Sequence, residues 1–241
     1  MNWGVPGWTT QESLVNYFIN VQDYEPDIVI IHHAINDNSP RLFKPGTFRP
    51  DYAHWRKSWE NYEVPWWDQT LIRYCTPYAS YRIHKGADGF NVLDFVRRNE
   101  NRLPRRSKLS DLAEKSGRIF RRNIVTIAEH ATSKGARVFL VTMPYKQSLA
   151  QADPEGVVPL WAQLVMQHNQ LLRDIAEEGG FGLIDQELMA MHDPPRSEEM
   201  FVDRVHMTRP GMRRKAAMIS KALYKELGRQ GGPPRHRPWK K

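Results

Sequence analysis

Cysteine is almost absent from these 241 residues: Cys75 stands alone. An internal disulfide and a cysteine-based zinc site are thereby excluded, and the redox compartment is left open. Long apolar runs are missing as well. The longest are four-residue stretches such as Ile28 to Ile31 and Val138 to Val141, far short of the roughly 18 residues a transmembrane segment requires. No charged segment followed by an apolar one opens the chain, so its start does not read as a secretory signal. There is no internal repeat, zinc finger or RNP-like motif. With 40% hydrophobic and 26% charged residues the composition is that of an ordinary globular protein, and the length suits a single α/β domain with a real core.

Acid is missing from one place in particular. The formal net charge is +8, but Arg229 to Lys241 contribute five basic residues and no acidic one, leaving +3 for the rest. Residues 229–241, opened by Gly231-Gly232-Pro233-Pro234, read as a basic flexible tail, and residues 1–228 as the folded domain. A second basic cluster (Arg97, Arg98, Arg102, Arg105, Arg106, Lys108) surrounds Pro104 in a loop. Scattered basic loops are solvated surface far more often than nucleic-acid sites, so no nucleic-acid partner is expected.

Periodicity predicts alternating strands and helices. Thr9 with Glu12 makes a capping-box pattern ahead of a helix with Leu14, Val15, Phe18 and Ile19 as its apolar stripe. Pro26 stops that helix, and Asp27 to His33 reads as a strand apolar on both faces. Residues 34–106 are aromatic, proline-punctuated and irregular. A helix from near Ser110 to Ser133 follows, with Phe120, Ile124, Ile127, Ala128 and Ala131 on one face and Gly135 as its stop. Further segments are a strand at Arg137–Thr142, a helix at Pro159–Glu178, a short strand at Phe181–Ile184 and a last helix from Pro210 to Leu227. Crossovers of about 20 residues imply a parallel sheet covered by helices on both faces.

In such a sheet, sites collect where strands end. Three places there hold polar residues: the turn Gly4-Val5-Pro6-Gly7, the pair Asn36-Asp37, and Asp203-Arg204-Val205-His206. Asp203 and His206, three apart on a turn, can place the carboxylate on the imidazole Nδ1–H and leave the other nitrogen as a base. An ordinary loop explains the same pair. The Asn36 amide and the Gly7 backbone N–H could donate to an oxyanion, each worth about 3 kcal/mol of barrier; a plain turn explains Asn36-Asp37-Asn38-Ser39-Pro40 equally well.

Read in order, the segments resemble a family. Asn2-x-Gly4-Val5-Pro6-Gly7, Ala34-Ile35-Asn36-Asp37 and Asp203-x-x-His206 with Pro210-Gly211 behind it are similar to the SGNH/GDSL hydrolases, and their order spans nearly the whole chain. The resemblance implies a three-layer α/β/α, flavodoxin-like parallel sheet and a serine ester-hydrolase mechanism. Gly7 and Asn36 then match the oxyanion donors, Asp203 the acid and His206 the base. A small ester is the implied substrate, such as an O-acyl group on a carbohydrate or lipid, and no cofactor is implied. An acyltransferase would use identical residues.

Two departures stand out. Ala34 occupies a position where the family has glycine, a mild change. The family's Gly-Asp-Ser block, which carries the nucleophile, has no counterpart: Ser13 falls inside the first helix and Ser39 in the Asn36 loop. The expectation is an amino-terminally incomplete hydrolase, with its serine and any targeting signal upstream of Met1. The edge of Ile28 to Ile31 is then expected to be unpaired, apolar and aggregation-prone. The alternative is a non-catalytic binding module of the same fold, using the tail and an aromatic face.

That face is Tyr52, Trp55, Trp59, Tyr62 and Trp66, at helical spacing until Pro65 disturbs it. It is expected to pack on the domain rather than line a cleft. His32 and His33 raise the question of a metal, but strand neighbours point to opposite faces and cannot easily share an ion. Arg41 is expected at the surface, and His192-Asp193 in a loop.

Overall fold

The computed structural model describes residues 1–5, 7–55, 70–71, 74–75, 77–78, 102–104, 107–152, 156–191 and 198–229. Pro6, Trp59, Tyr62, Trp66, most of the basic cluster around Pro104, His192-Asp193 and the tail beyond Arg229 lie outside them.

The capping box at Thr9 and Glu12 forms as its spacing predicts and starts α1, Thr10–Ile19. Its buried stripe differs from the expected one. Tyr17 is the core residue, with Leu14 and Phe18 packed beside it, whereas Val15 and Ile19 are exposed. The helix is thus turned so that Tyr17 meets His130, its hydroxyl 3.3 Å from Nδ1. Glu25, at φ 43°, turns the chain ahead of Pro26.

Strand β1, Ile28–Ile31, pairs in parallel with β2, Arg137–Val141, which pairs in parallel with β3, Gly182–Ile184. The order is β1-β2-β3. Between them run α2, Asn38–Arg41, α3, Ser116–Ser133, and α4, Leu160–Gly179; α5, Gln186–Met191, and α6, Arg209–Arg229, follow β3. The turn α5 carries no periodic signal in so short a segment and escapes the sequence reading. Helix α3 starts at Ser116 instead of Ser110, because Leu109–Asp111 forms a separate short 3-10 turn.

Each face of the sheet carries its own layer. Ile31, Val138 and Leu140 pack under Phe120, Ile124, Ile127 and Ala128 of α3 and Leu172 and Ile175 of α4. Phe139, Val141 and Ile184 point the other way, onto Ile219, Ala222 and Leu223 of α6. Burying such a side chain stabilises by roughly 2 kcal/mol, which fixes the three layers. Strand β1 departs from the sequence reading: on the face toward α6, Ile28 is packed but Ile30 is 44% exposed. No strand lies beyond its outer edge among the described residues.

Candidate active site

The carboxyl ends of β1 and β2 are tied down before any candidate residue is reached. After β2, Met143 donates its N–H to Asn169 Oδ1 (2.7 Å) and accepts from Asn169 Nδ2 (2.9 Å), a closed pair with a buried side chain of α4. After β1, residues 34–41 form a turn whose polar groups reach into three helices. Ala34 O accepts from His168 Nδ1 (2.9 Å), and Asn38 Nδ2 donates to Trp161 O (3.1 Å). Asp37 is fully buried and accepts from the Thr10 N–H (3.0 Å) and hydroxyl (2.6 Å), with Tyr52 OH at 3.4 Å. Thr10 Oγ1 accepts in turn from the buried Asn123 (3.0 Å). Burial pushes the Asp37 carboxyl up to about 7, with the Thr10 and Tyr52 donors pulling against it.

Arg41 corrects an expectation. It is 2% exposed. Its guanidinium donates to Ser116 Oγ (3.2 Å), His168 Nε2 (2.7 Å) and Gln167 Oε1 (2.6 Å). An always-charged donor on Nε2 leaves the proton of His168 on Nδ1, where Ala34 O receives it. Burial and then the Arg41 charge hold His168 well below the ordinary histidine value, so the ring is neutral. It stacks on Phe120, centroids 4.1 Å apart. Sequence reading misses His168 and Asn123, although a signal exists: each is a polar residue on the apolar face of its helix.

Asn36 Nδ2 donates to Trp8 O (2.9 Å). That bond fastens the Asn36 turn to the residue after Gly7, so the two expected oxyanion donors share one edge of the molecule. Gly7 has φ 82°, where a β-carbon is strained, which is the local reason for glycine. The amide of Asn36 has a second N–H beyond the one used by Trp8.

The turn Asp203–His206 is built differently. Asp203 Oδ2 lies 2.7 Å from His206 Nδ1, while Oδ1 accepts from the backbone N–H of His206 (2.8 Å) and Val205 (3.0 Å). The two backbone donors, then the imidazole, hold the Asp203 carboxyl down to about 2. The His206 side chain is 79% exposed, and among the described residues Nε2 has no hydroxyl bonded to it. Val205 anchors the turn in the apolar cluster of Ala34, Ile35, Tyr145 and Trp161. Lys146 N–H donates to Arg204 O (2.9 Å), and the Arg204 guanidinium lies 5.3 Å from the Trp161 ring. The Asn36 and His206 turns therefore belong to one packed unit. Gly211 closes it from below: a β-carbon there would stand 2.3 Å from Met200 O, so only glycine lets α6 start under this turn.

His32 and His33 point to opposite faces, as strand alternation requires. His32 meets Lys215 of α6 at 3.3 Å, and His33 Nε2 meets Ser13 Oγ of α1 at 2.9 Å. Among the described residues no three His, Cys, Asp or Glu side chains converge as a metal site would need. No helix among them is long and apolar enough to cross a membrane.

A family model described as GDSL-like Lipase/Acylhydrolase matches residues 1–214. No curated protein matches the sequence. Among solved structures, a lipase/acylhydrolase from Enterococcus faecalis superposes with TM-score 0.51 at 16% identity, covering 98% of this chain and 78% of that one. An acetyl xylan esterase gives TM-score 0.51 at 14% identity over 91% of this chain and 78% of that one. A variant of an acetyl-xylooligosaccharide esterase from Geobacillus stearothermophilus gives 0.50 at 15%, over 98% and 74%. At these identities the structures establish the shared fold, a parallel sheet flanked by helices.

Proposed function

The chain belongs to the GDSL-like lipase/acylhydrolase family, and from that premise we propose that it hydrolyses a small ester by a serine–histidine–aspartate mechanism. The substrate class is an O-acyl group on a carbohydrate or lipid. The observation that carries the reading is the 2.7 Å contact between Asp203 Oδ2 and His206 Nδ1. It holds the imidazole in one tautomer and leaves Nε2 facing solvent.

In this reading a serine oxygen attacks the ester carbonyl and His206 Nε2 takes its proton. Asp203 stabilises the resulting imidazolium, its carboxyl ionised at any working pH because three donors hold it down to about 2. The oxyanion is received by the second N–H of Asn36 and by the Gly7 N–H. His206 then returns the proton to the leaving alcohol, and water repeats the sequence in reverse. The nucleophile is a serine outside the described residues, since none of the described hydroxyls stands at His206.

The test is hydrolysis of p-nitrophenyl acetate and of an acetylated sugar by the protein that includes that serine. His206→Ala is expected to lower kcat/KM by about 1,000-fold with an unchanged melting temperature, the ring being exposed. Undiminished cleavage in that variant would remove His206 as the base.

A further inference from the structure

His33 is not consumed by the reading above, and what surrounds it is chemically specific. The ring follows β1 and turns toward α1, where Nε2 meets Ser13 Oγ at 2.9 Å. On its other side Nδ1 stands 4.0 Å from Asp37 Oδ2. That distance is too long for a hydrogen bond, but it puts a carboxyl behind the nitrogen that must carry the proton if Nε2 is to accept from Ser13. Hydroxyl and imidazole are thus in direct contact, as a nucleophile and its base must be, with a buried carboxyl near the ring but not bonded to it. Among the described residues this is the one serine hydroxyl in hydrogen-bond contact with a histidine ring.

The parts are rigidly held. Asp37 is fixed by Thr10, the first residue of α1, and Ser13 lies one turn further along the same helix. The spacing of Ser13 and Asp37 is therefore set by a single helix end. Both Ser13 and His33 are partly exposed, so a small reagent can reach the hydroxyl. Burial lowers His33 to about 4, which keeps the ring as free base at neutral pH and makes it a mild one.

We propose that Ser13 and His33 form a second nucleophile–base pair, a site that takes small activated acyl or phosphonyl groups without His206. Ser13 Oγ bonds to the acyl carbon and passes its proton to His33 Nε2. The leaving alcohol departs with that proton, and an ester of Ser13 remains. With a fluorophosphonate, the new bond is to phosphorus, fluoride leaves, and the proton goes from His33 to solvent. Sequence reading sets Ser13 aside because it sits within a helix; only the packing of α1 against the end of β1 brings it to a base.

The experiment treats this chain with a fluorophosphonate at neutral pH and maps the adduct by peptide mass spectrometry. Ser13 is expected to carry the adduct, in the parent chain and in His206→Ala alike. Ser13→Ala is expected to abolish it. His33→Gln, which can still hydrogen-bond Ser13, is expected to slow it by about 100-fold with an unchanged circular dichroism spectrum. Absence of a Ser13 adduct, or an adduct formed as fast in His33→Gln, overturns the proposal. Neither result touches the role of His206, which is read from ester turnover instead.

Discussion

The turn at Ala34–Arg41 and the turn at Asp203–His206 pack into one apolar cluster, yet opposite means hold them. The first is fixed from far away in sequence: Arg41 binds His168, His168 binds Ala34, and Asp37 binds Thr10. The second is fixed largely by itself, through three contacts from Asp203 to groups two and three residues on. The same residue type shows the consequence. Burial raises the Asp37 carboxyl to about 7, while local donors in open solvent lower that of Asp203 to about 2. A donor set cancels strong desolvation only partly, and where desolvation is slight the donors prevail. The buried turn is therefore held by partners distant in sequence, and the exposed one keeps an ionised carboxylate against the His206 imidazole.

The largest effect that would break this contrast is expected at Arg41. Arg41→Ala leaves Ser116, Gln167 and His168 without their donor and opens a cavity. Urea unfolding should show a loss of about 4 kcal/mol. A loss near zero would mean that the network does not hold the turn.

Asp37 sharpens the contrast through pH. Its carboxyl is raised by folding, so its contribution is fully present below the ordinary carboxylate value and is lost as pH rises toward 7, where the folded group ionises. Asp37→Asn removes that dependence. The stability of the parent minus that of Asp37→Asn should fall by about 3 kcal/mol between pH 4 and pH 7, measured by urea titrations at several pH values. A constant difference would show that burial does not perturb this carboxyl.

Asp203 marks the small end. Its carboxyl is depressed, so its contribution is present above the ordinary carboxylate value and lost only as pH falls toward 2. Asp203→Ala at neutral pH should leave the melting temperature within about 2 °C of the parent, as exposed surface changes do. Under the proposed mechanism the same variant still loses most ester turnover. A large drop in melting temperature would instead make this turn a structural element like the other.

Much of the frame was legible because its signals are local. The face of α3 follows from the spacing of Phe120, Ile124 and Ile127, all of them buried. Thr9 and Glu12 mark the start of α1 from three residues apart. Asp203 and His206 are equally local, and their contact follows from sequence neighbours. Arg41, by contrast, reads as surface because charge normally stays in water; its partners are 75 to 127 positions away. Val15 and Ile19 read as core because the period of α1 fits two faces, and Tyr17 wins through its meeting with His130.

The strand–helix order, the family resemblance and the acid–histidine turn are written in the chain, since each rests on residues within a few positions or on motifs in fixed order. The burial of Arg41, the Nδ1 proton of His168 and the meeting of Ser13 with His33 arise only in the packed molecule. These depend on which helix faces pack over the ends of the strands. That choice is made by summed burial across the whole domain, and a polar residue on an apolar helix face, such as His168, is its only local trace.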